Sequence, residues 1–125
     1  MAKIRHIAIR TPDPDALSKF YCEVFGMHVR QDYPAVPGTA RAIFVSDGYL
    51  EVALIQSKER VGINHFGFTL EQGEQGEIYE KLKSHGVTPK TANPDRPYIE
   101  DIMIDIDGNK VDLTTVGLRG ATNPA

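Results

Sequence analysis

The sequence repeats one order of predicted secondary-structure elements, and this repeat limits the fold more than any other feature. The segment KIRHIAIRT alternates like a strand, and a helical pattern follows that Asp13 can cap and Gly26 can end. Three strand-like runs come next, and the same order begins again at INHFGFTL. Matching markers in the two halves lie 59 or 60 residues apart: His6 and His65, Gly26 and Gly86, Gly48 and Gly108. Such a constant offset indicates two copies of a βαβββ module.

The length of the chain suits a single domain. Its 125 residues, 41% of them hydrophobic, are enough to bury a core. We predict one domain over residues 1–117, with modules at about 1–57 and 62–116. Residues 118–125 carry no apolar periodicity, so we predict a flexible tail there.

Composition and charge exclude several classes of function. The net charge is −3, and the 14 basic and 17 acidic residues are scattered, so a nucleic-acid partner is not expected. No apolar run approaches the roughly 18 residues of a membrane span, and no secretory signal is visible. Cys22 is the only cysteine and lies in an apolar helical stretch. This predicts a buried packing thiol, no internal disulfide and a cytoplasmic protein.

Four polar residues lie in the predicted strands on the side opposite to their aliphatic neighbours. Because successive strand residues point to opposite faces, we expect the helices to cover the aliphatic face and to leave these four on the other. They are His6 in the first strand, Glu51 in the fourth, His65 in the fifth and Asp112 in the eighth. Each half therefore supplies one histidine and one acid, 45 residues apart in the first half and 47 in the second.

A divalent metal ion would explain this set of side chains. A single strand histidine or carboxylate is more commonly a solvated or hydrogen-bonded surface group. Two carboxylates that converge on two imidazoles, however, need a cation to balance their charge in a partly buried position. The repetition of histidine and acid in both halves favours a metal site over four unrelated surface groups.

At four segments the sequence resembles the vicinal oxygen chelate superfamily, which includes glyoxalase I, methylmalonyl-CoA epimerase, extradiol dioxygenases, fosfomycin-modifying enzymes and the metal-free bleomycin-resistance proteins. The segments are RHIAI, ALSKFYCEVFGM, INHFGF and DIDGNKVDL, where the family often has DPDGxxxEL, and the resemblance covers about residues 3–116. It implies an α+β, glyoxalase-like fold, in which two tandem βαβββ modules form an open barrel-like mixed sheet with helices on its outer face. It also implies a homodimer.

By this resemblance His6 and His65 match the two histidine ligands of the family. Asp112 occupies the position where the family generally has glutamate, and its side chain is one methylene shorter. Glu51 matches the acidic ligand of the glyoxalase branch, although the turn before it is one residue shorter than the turn before Asp112. Such a ligand set suits one divalent Ni, Co, Mn, Fe or Zn ion, and no organic cofactor is expected.

The expected function is that of a metal-dependent lyase or isomerase of the glyoxalase type. Its small-molecule substrate would chelate the metal ion through two neighbouring oxygens, and Glu51 or Asp112 would act as the general base. Two alternatives stay open. An Fe(II) extradiol-type dioxygenase would use only His6, His65 and Asp112 as ligands. A small-molecule binding protein of the bleomycin-resistance kind would hold its ligand without metal.

Overall fold

Two helices and eight strands make up the described part of the chain, which comprises residues 1–91, 94 and 100–115 of the computed structural model. The elements in chain order are β1 (Lys3–Thr11), α1 (Pro14–Phe25), β2 (His28–Tyr33), β3 (Ala42–Ser46), β4 (Glu51–Gln56), β5 (Gly62–Thr69), α2 (Gln75–Ser84), β6 (Lys90–Thr91), β7 (Glu100–Ile104) and β8 (Lys110–Thr114). Strand, helix and three strands follow one another twice, in agreement with the two predicted modules. The limits of domain and modules stay predictions, and the predicted tail at 118–125 lies outside the described residues.

All eight strands belong to one mixed sheet that is not closed, which confirms the predicted α+β class with an open sheet. The described residues form two compact units, one of residues 6–64 and one that combines residues 1–5 with residues 65–91, 94 and 100–115. In the first unit the strand order is β2-β3-β4-β1, and only β1 and β4 are parallel. In the second unit the order is β5-β8-β7-β6, and only β5 and β8 are parallel. Neither helix in the described part has the length and apolar composition to cross a membrane.

The core of the first unit lies between α1 and one face of the strands. Helix α1 begins after Asp13, whose side chain accepts a hydrogen bond from the backbone N–H of Ala16 (3.0 Å), and it ends at Gly26 in the left-handed conformation. The residues packed together are Ile9, Ile43, Val45, Val52 and Leu54 from the strands, with Leu17, Tyr21, Cys22 and Met27. The predicted aliphatic face is thus confirmed for this unit, whereas Cys22 is half-buried rather than buried.

In the second unit a hydrogen bond connects α2 to the sheet. Tyr79 of α2 donates its hydroxyl proton to the buried carboxylate of Asp101 in β7. Asp101 is opposite Leu113 of β8, and Leu113 is opposite Phe68 of β5. These residues share one face of the sheet, so the neighbouring Asp112 lies on the other face, as predicted.

The turns that lead into β4 and β8 are built differently. Before β4, the Asp47 carboxylate accepts hydrogen bonds from the backbone N–H groups of Tyr49 and Leu50, both at 2.8 Å, and these bonds lower the pKa of Asp47. Before β8, the carboxylate that accepts such bonds is Asp105, which accepts them from the backbone N–H groups of Asp107 and Asn109. The two hairpins are therefore not identical copies, and the acid after each turn can occupy a different register.

Candidate functional site

His6 and Glu51 form the first pair of predicted site residues. They lie directly opposite each other in the parallel pair of β1 and β4. Both are buried, with 9% and 4% of their surface exposed, although they lie on the face that α1 does not cover. The next residues on this face, Ala8 and Ala53, are also opposite each other and have small side chains. Ala53 is in turn opposite the buried Phe44 of β3, so the side chains from β1 and β4 are small here and the one from β3 is large.

Arg30 of β2 is the charged partner of Glu51. Its Nε lies 3.1 Å from Oε1 of Glu51, and its side chain is 22% exposed. The sequence pattern does not predict this contact, because Arg30 and Glu51 come from strands separated by β3. A solvated arginine in an alternating strand gives no signal of a partner two strands away. The structure thus places a cation beside one predicted metal ligand.

His65 and Asp112 form the second pair, in the other unit. Nε2 of His65 lies 3.0 Å from Oδ2 of Asp112, and their side chains are 9% and 30% exposed. The residue directly opposite Asp112 is Gly67, two positions beyond His65 on the same face of β5. Because Gly67 has no side chain, nothing from that position separates His65 from Asp112.

The two acids do not occupy equivalent positions in the two units. If His6 is matched with His65, then Ala8 corresponds to Gly67. Ala8 is opposite Ala53, whereas Gly67 is opposite Asp112, so Asp112 corresponds to Ala53 rather than to Glu51. This shift of two residues explains why the spacings of 45 and 47 differ in the sequence. The histidines repeat with the module, and the acids do not.

The geometry of His65 and Asp112 fits two ligands of one metal ion. Two ligand atoms that lie about 2.1 Å from a metal, at a right angle to each other, are about 3 Å apart. The measured 3.0 Å between Nε2 and Oδ2 meets this condition without rearrangement. Imidazole nitrogen and carboxylate oxygen are also donors that divalent transition metals accept. Glu51 differs, because a guanidinium already balances its charge.

The sequence model described as "Glyoxalase/Bleomycin resistance protein/Dioxygenase superfamily" matches residues 3–113 of the chain. The chain belongs to this superfamily. The matched residues belong to both units and include all four predicted site residues. A search of the curated proteins found no match to the chain.

Solved structures of the same fold include epimerases and a dioxygenase. Methylmalonyl-CoA epimerase from Mycobacterium tuberculosis aligns at 15% identity with a TM-score of 0.68, over 89% of this chain and 85% of that one. A methylmalonyl-CoA epimerase in complex with methylmalonyl-CoA and NH4+ aligns at 19% identity with a TM-score of 0.69, over 98% and 99% of the two chains. The 2,3-dioxygenase LapB from Pseudomonas sp. KL28 aligns at 19% identity with a TM-score of 0.71, over 93% of this chain and 43% of that one. At these identities the likeness establishes the fold.

Proposed function

We propose that the chain is a divalent-metal-dependent enzyme that isomerises or lyses a small substrate bound through two neighbouring oxygens. In this proposal His6, His65 and Asp112 are the protein ligands of one metal ion. The observation that carries it is the 3.0 Å separation of His65 Nε2 and Asp112 Oδ2, which two ligand atoms of one ion would also have. Membership of the glyoxalase superfamily supports the same reading.

The donor set defines what the residues would do. Two imidazoles and a carboxylate suit Ni, Co, Mn, Fe or Zn and leave positions for substrate oxygens. When bound, the ion would stabilise the negative charge that develops on those oxygens as a proton leaves the adjacent carbon. Glu51, buried beside His6, would accept this proton while the C–H electron pair moves toward the carbonyl group, and would then return it to a carbon. Asp112 is the second candidate for this base.

The structural neighbours suggest which substrates to test first. One epimerase of the same fold was solved with methylmalonyl-CoA. The first screen therefore includes acyl thioesters that carry an acidic C–H bond at the α-carbon. Hemithioacetals form the second class, because they also present two neighbouring oxygens to a metal ion. The epimerase likeness extends over nearly the whole of both chains.

Metal analysis tests this proposal directly. The protein, purified without a histidine tag, is expected to carry close to one divalent ion per chain by elemental analysis. The double substitution His6→Ala with His65→Ala should abolish this metal content, whereas His85→Ala, a histidine at the end of α2, should leave it unchanged. Unchanged metal content in the double variant would overturn the proposal.

An Fe(II) dioxygenase is the second candidate function, and the Arg30–Glu51 ion pair is compatible with it as well as with the first. With Glu51 bound to Arg30, the remaining predicted ligands are two histidines and one carboxylate, the set used by non-haem Fe(II) oxygenases. Oxygen-dependent ring cleavage of a catechol by the iron-loaded protein would select this function over proton transfer. A chain that binds small ligands but no metal would instead match the bleomycin-resistance alternative. The homodimer and the cytoplasmic location stay predictions, and light scattering measures the first.

A further inference from the structure

Arg30 occupies an irregular position in β2. Between the pairs Val29–Val45 and Gln31–Phe44, β2 contains one more residue than β3, and this extra residue is Arg30. Such a β-bulge increases the local twist of the strand and changes the direction of its side chain. The guanidinium reaches Glu51 across β3, where Ser46 is the residue opposite Glu51.

Ser46 leaves space for this contact. Its side chain is small and fully buried, and its hydroxyl donates to the carbonyl of Leu50 (2.7 Å) and accepts from the N–H of Gly48 (3.0 Å). The hydroxyl is therefore engaged with the turn, and a larger residue here would lie between Arg30 and Glu51. The bulge at Arg30 and the small side chain of Ser46 together allow Arg30 of β2 to form an ion pair with Glu51 of β4, across β3.

The ion pair matters because Glu51 is buried. Its side chain is 5% exposed, and a carboxylate at such a position needs a cationic partner. The Arg30 guanidinium is one such cation, and a metal ion held by the neighbouring His6 would be another. Each would balance the same charge, so the two compete for Glu51.

We propose that Arg30 is a positioning residue that keeps Glu51 out of metal coordination and so sets the number of protein ligands at three. This inference rests on the proposed function. A carboxylate held by Arg30 stays available to accept a proton, and the coordination position that it would otherwise occupy stays open for substrate. Arg30 would then separate the role of ligand from the role of base.

Titration with Mn²⁺ tests this inference without a substrate. Free Mn²⁺ is counted by electron paramagnetic resonance, and the water bound to Mn²⁺ is measured by solvent proton relaxation. The variant Arg30→Gln is expected to bind Mn²⁺ about tenfold more tightly, the size typical of changes beside metal ligands. Its relaxation enhancement should fall, because Glu51 replaces a bound water. Gln31→Ala, which alters the adjacent residue of the same bulge, is the matched control and should change neither value.

A double substitution separates ligation from simple repulsion between Arg30 and the metal. Arg30→Gln with Glu51→Gln should lose the gain in affinity if Glu51 became a ligand. A double variant that binds Mn²⁺ as tightly as Arg30→Gln would overturn the inference. An Arg30→Gln variant with the Mn²⁺ affinity and relaxation enhancement of the unmodified chain would overturn it too. If Arg30→Gln does not fold, Arg30→Lys retains a cation and should show a smaller change in the same direction. Absence of Mn²⁺ binding by the unmodified chain, together with metal content insensitive to both histidines, would overturn the proposed function itself.

Discussion

Glu51 and Asp112 are strand carboxylates with different neighbours, and for this reason we propose different roles for them. Asp112 contacts an imidazole, as a metal ligand would, whereas Glu51 contacts a guanidinium. A residue that binds metal should affect metal content, and a residue that only accepts a proton should affect turnover.

Conservative amide substitutions test this division of roles. Glu51→Gln should leave the metal content unchanged and lower kcat by about 10²- to 10⁴-fold, because general base catalysis is lost. Asp112→Asn should instead lower the metal content. Elemental analysis and turnover of the substrate found in the screen measure both effects. Equal loss of metal in the two variants would show that Glu51 is a fourth ligand.

Tyr79 gives the second unit a pH-dependent contribution to stability. Burial, and then its hydrogen bond to Asp101, raise the pKa of the Tyr79 hydroxyl above the ordinary value of about 10. The neutral hydroxyl is thus favoured in the folded state. Its contribution is complete below about pH 10 and is lost as the pH rises further, because the unfolded chain ionises first.

Tyr79→Phe should therefore lower the free energy of unfolding at neutral pH by about 1 to 3 kcal/mol, since it leaves the buried Asp101 without this donor. Between about pH 10 and 11 the Tyr79→Phe variant should also lose less free energy of unfolding than the unmodified chain does. Urea unfolding at a series of pH values measures both. Tyr21→Phe in α1 is the control, and a Tyr79→Phe profile parallel to that of the unmodified chain would contradict the assignment.

At the scale of elements, the stability of α1 depends on Asp13, the residue that immediately precedes the helix. Asp13 accepts the hydrogen bond of the Ala16 N–H at 3.0 Å, so Asp13→Ala should destabilise the chain by about 1 kcal/mol. Asp13→Ser should restore most of this loss, because serine also caps helices. Chemical denaturation compares the three proteins, and equal stability of all three would show that the cap contributes nothing.

The same scale shows what the sequence predicts and what it does not. The limits of β1 and α1 follow from alternation, a capping residue and a terminal glycine, all of which are local. The bulge at Arg30 and the register of Asp112 depend on which residue of a neighbouring strand each position meets. Alternation within one strand carries no information on that pairing. The sequence could therefore place the four residues on strands and on one face of each strand. It could not predict the different registers of Glu51 and Asp112, or the contact between Arg30 and Glu51.

At the scale of the whole molecule, the two units have the same order of elements but differ in the register of the acid relative to the histidine. The histidines repeat at His6 and His65, while the acid lies opposite a different position in each unit. A fully symmetric pair of units would offer two identical ligand pairs. The two units therefore differ in where the acid lies relative to the histidine. The proposal of a single metal ion has a thermodynamic consequence that can be measured.

Metal should stabilise the folded chain only through both histidines together. At a free metal concentration 100 times the Kd, the free energy of unfolding should rise by about 2.7 kcal/mol. If His6 and His65 bind the same ion, either His→Ala substitution alone should remove nearly the whole gain, and the double variant should lose no more. Thermal unfolding with and without metal, with chelator as the control, measures each gain. Losses that are partial and add up in the double variant would show that the two histidines bind separate ions.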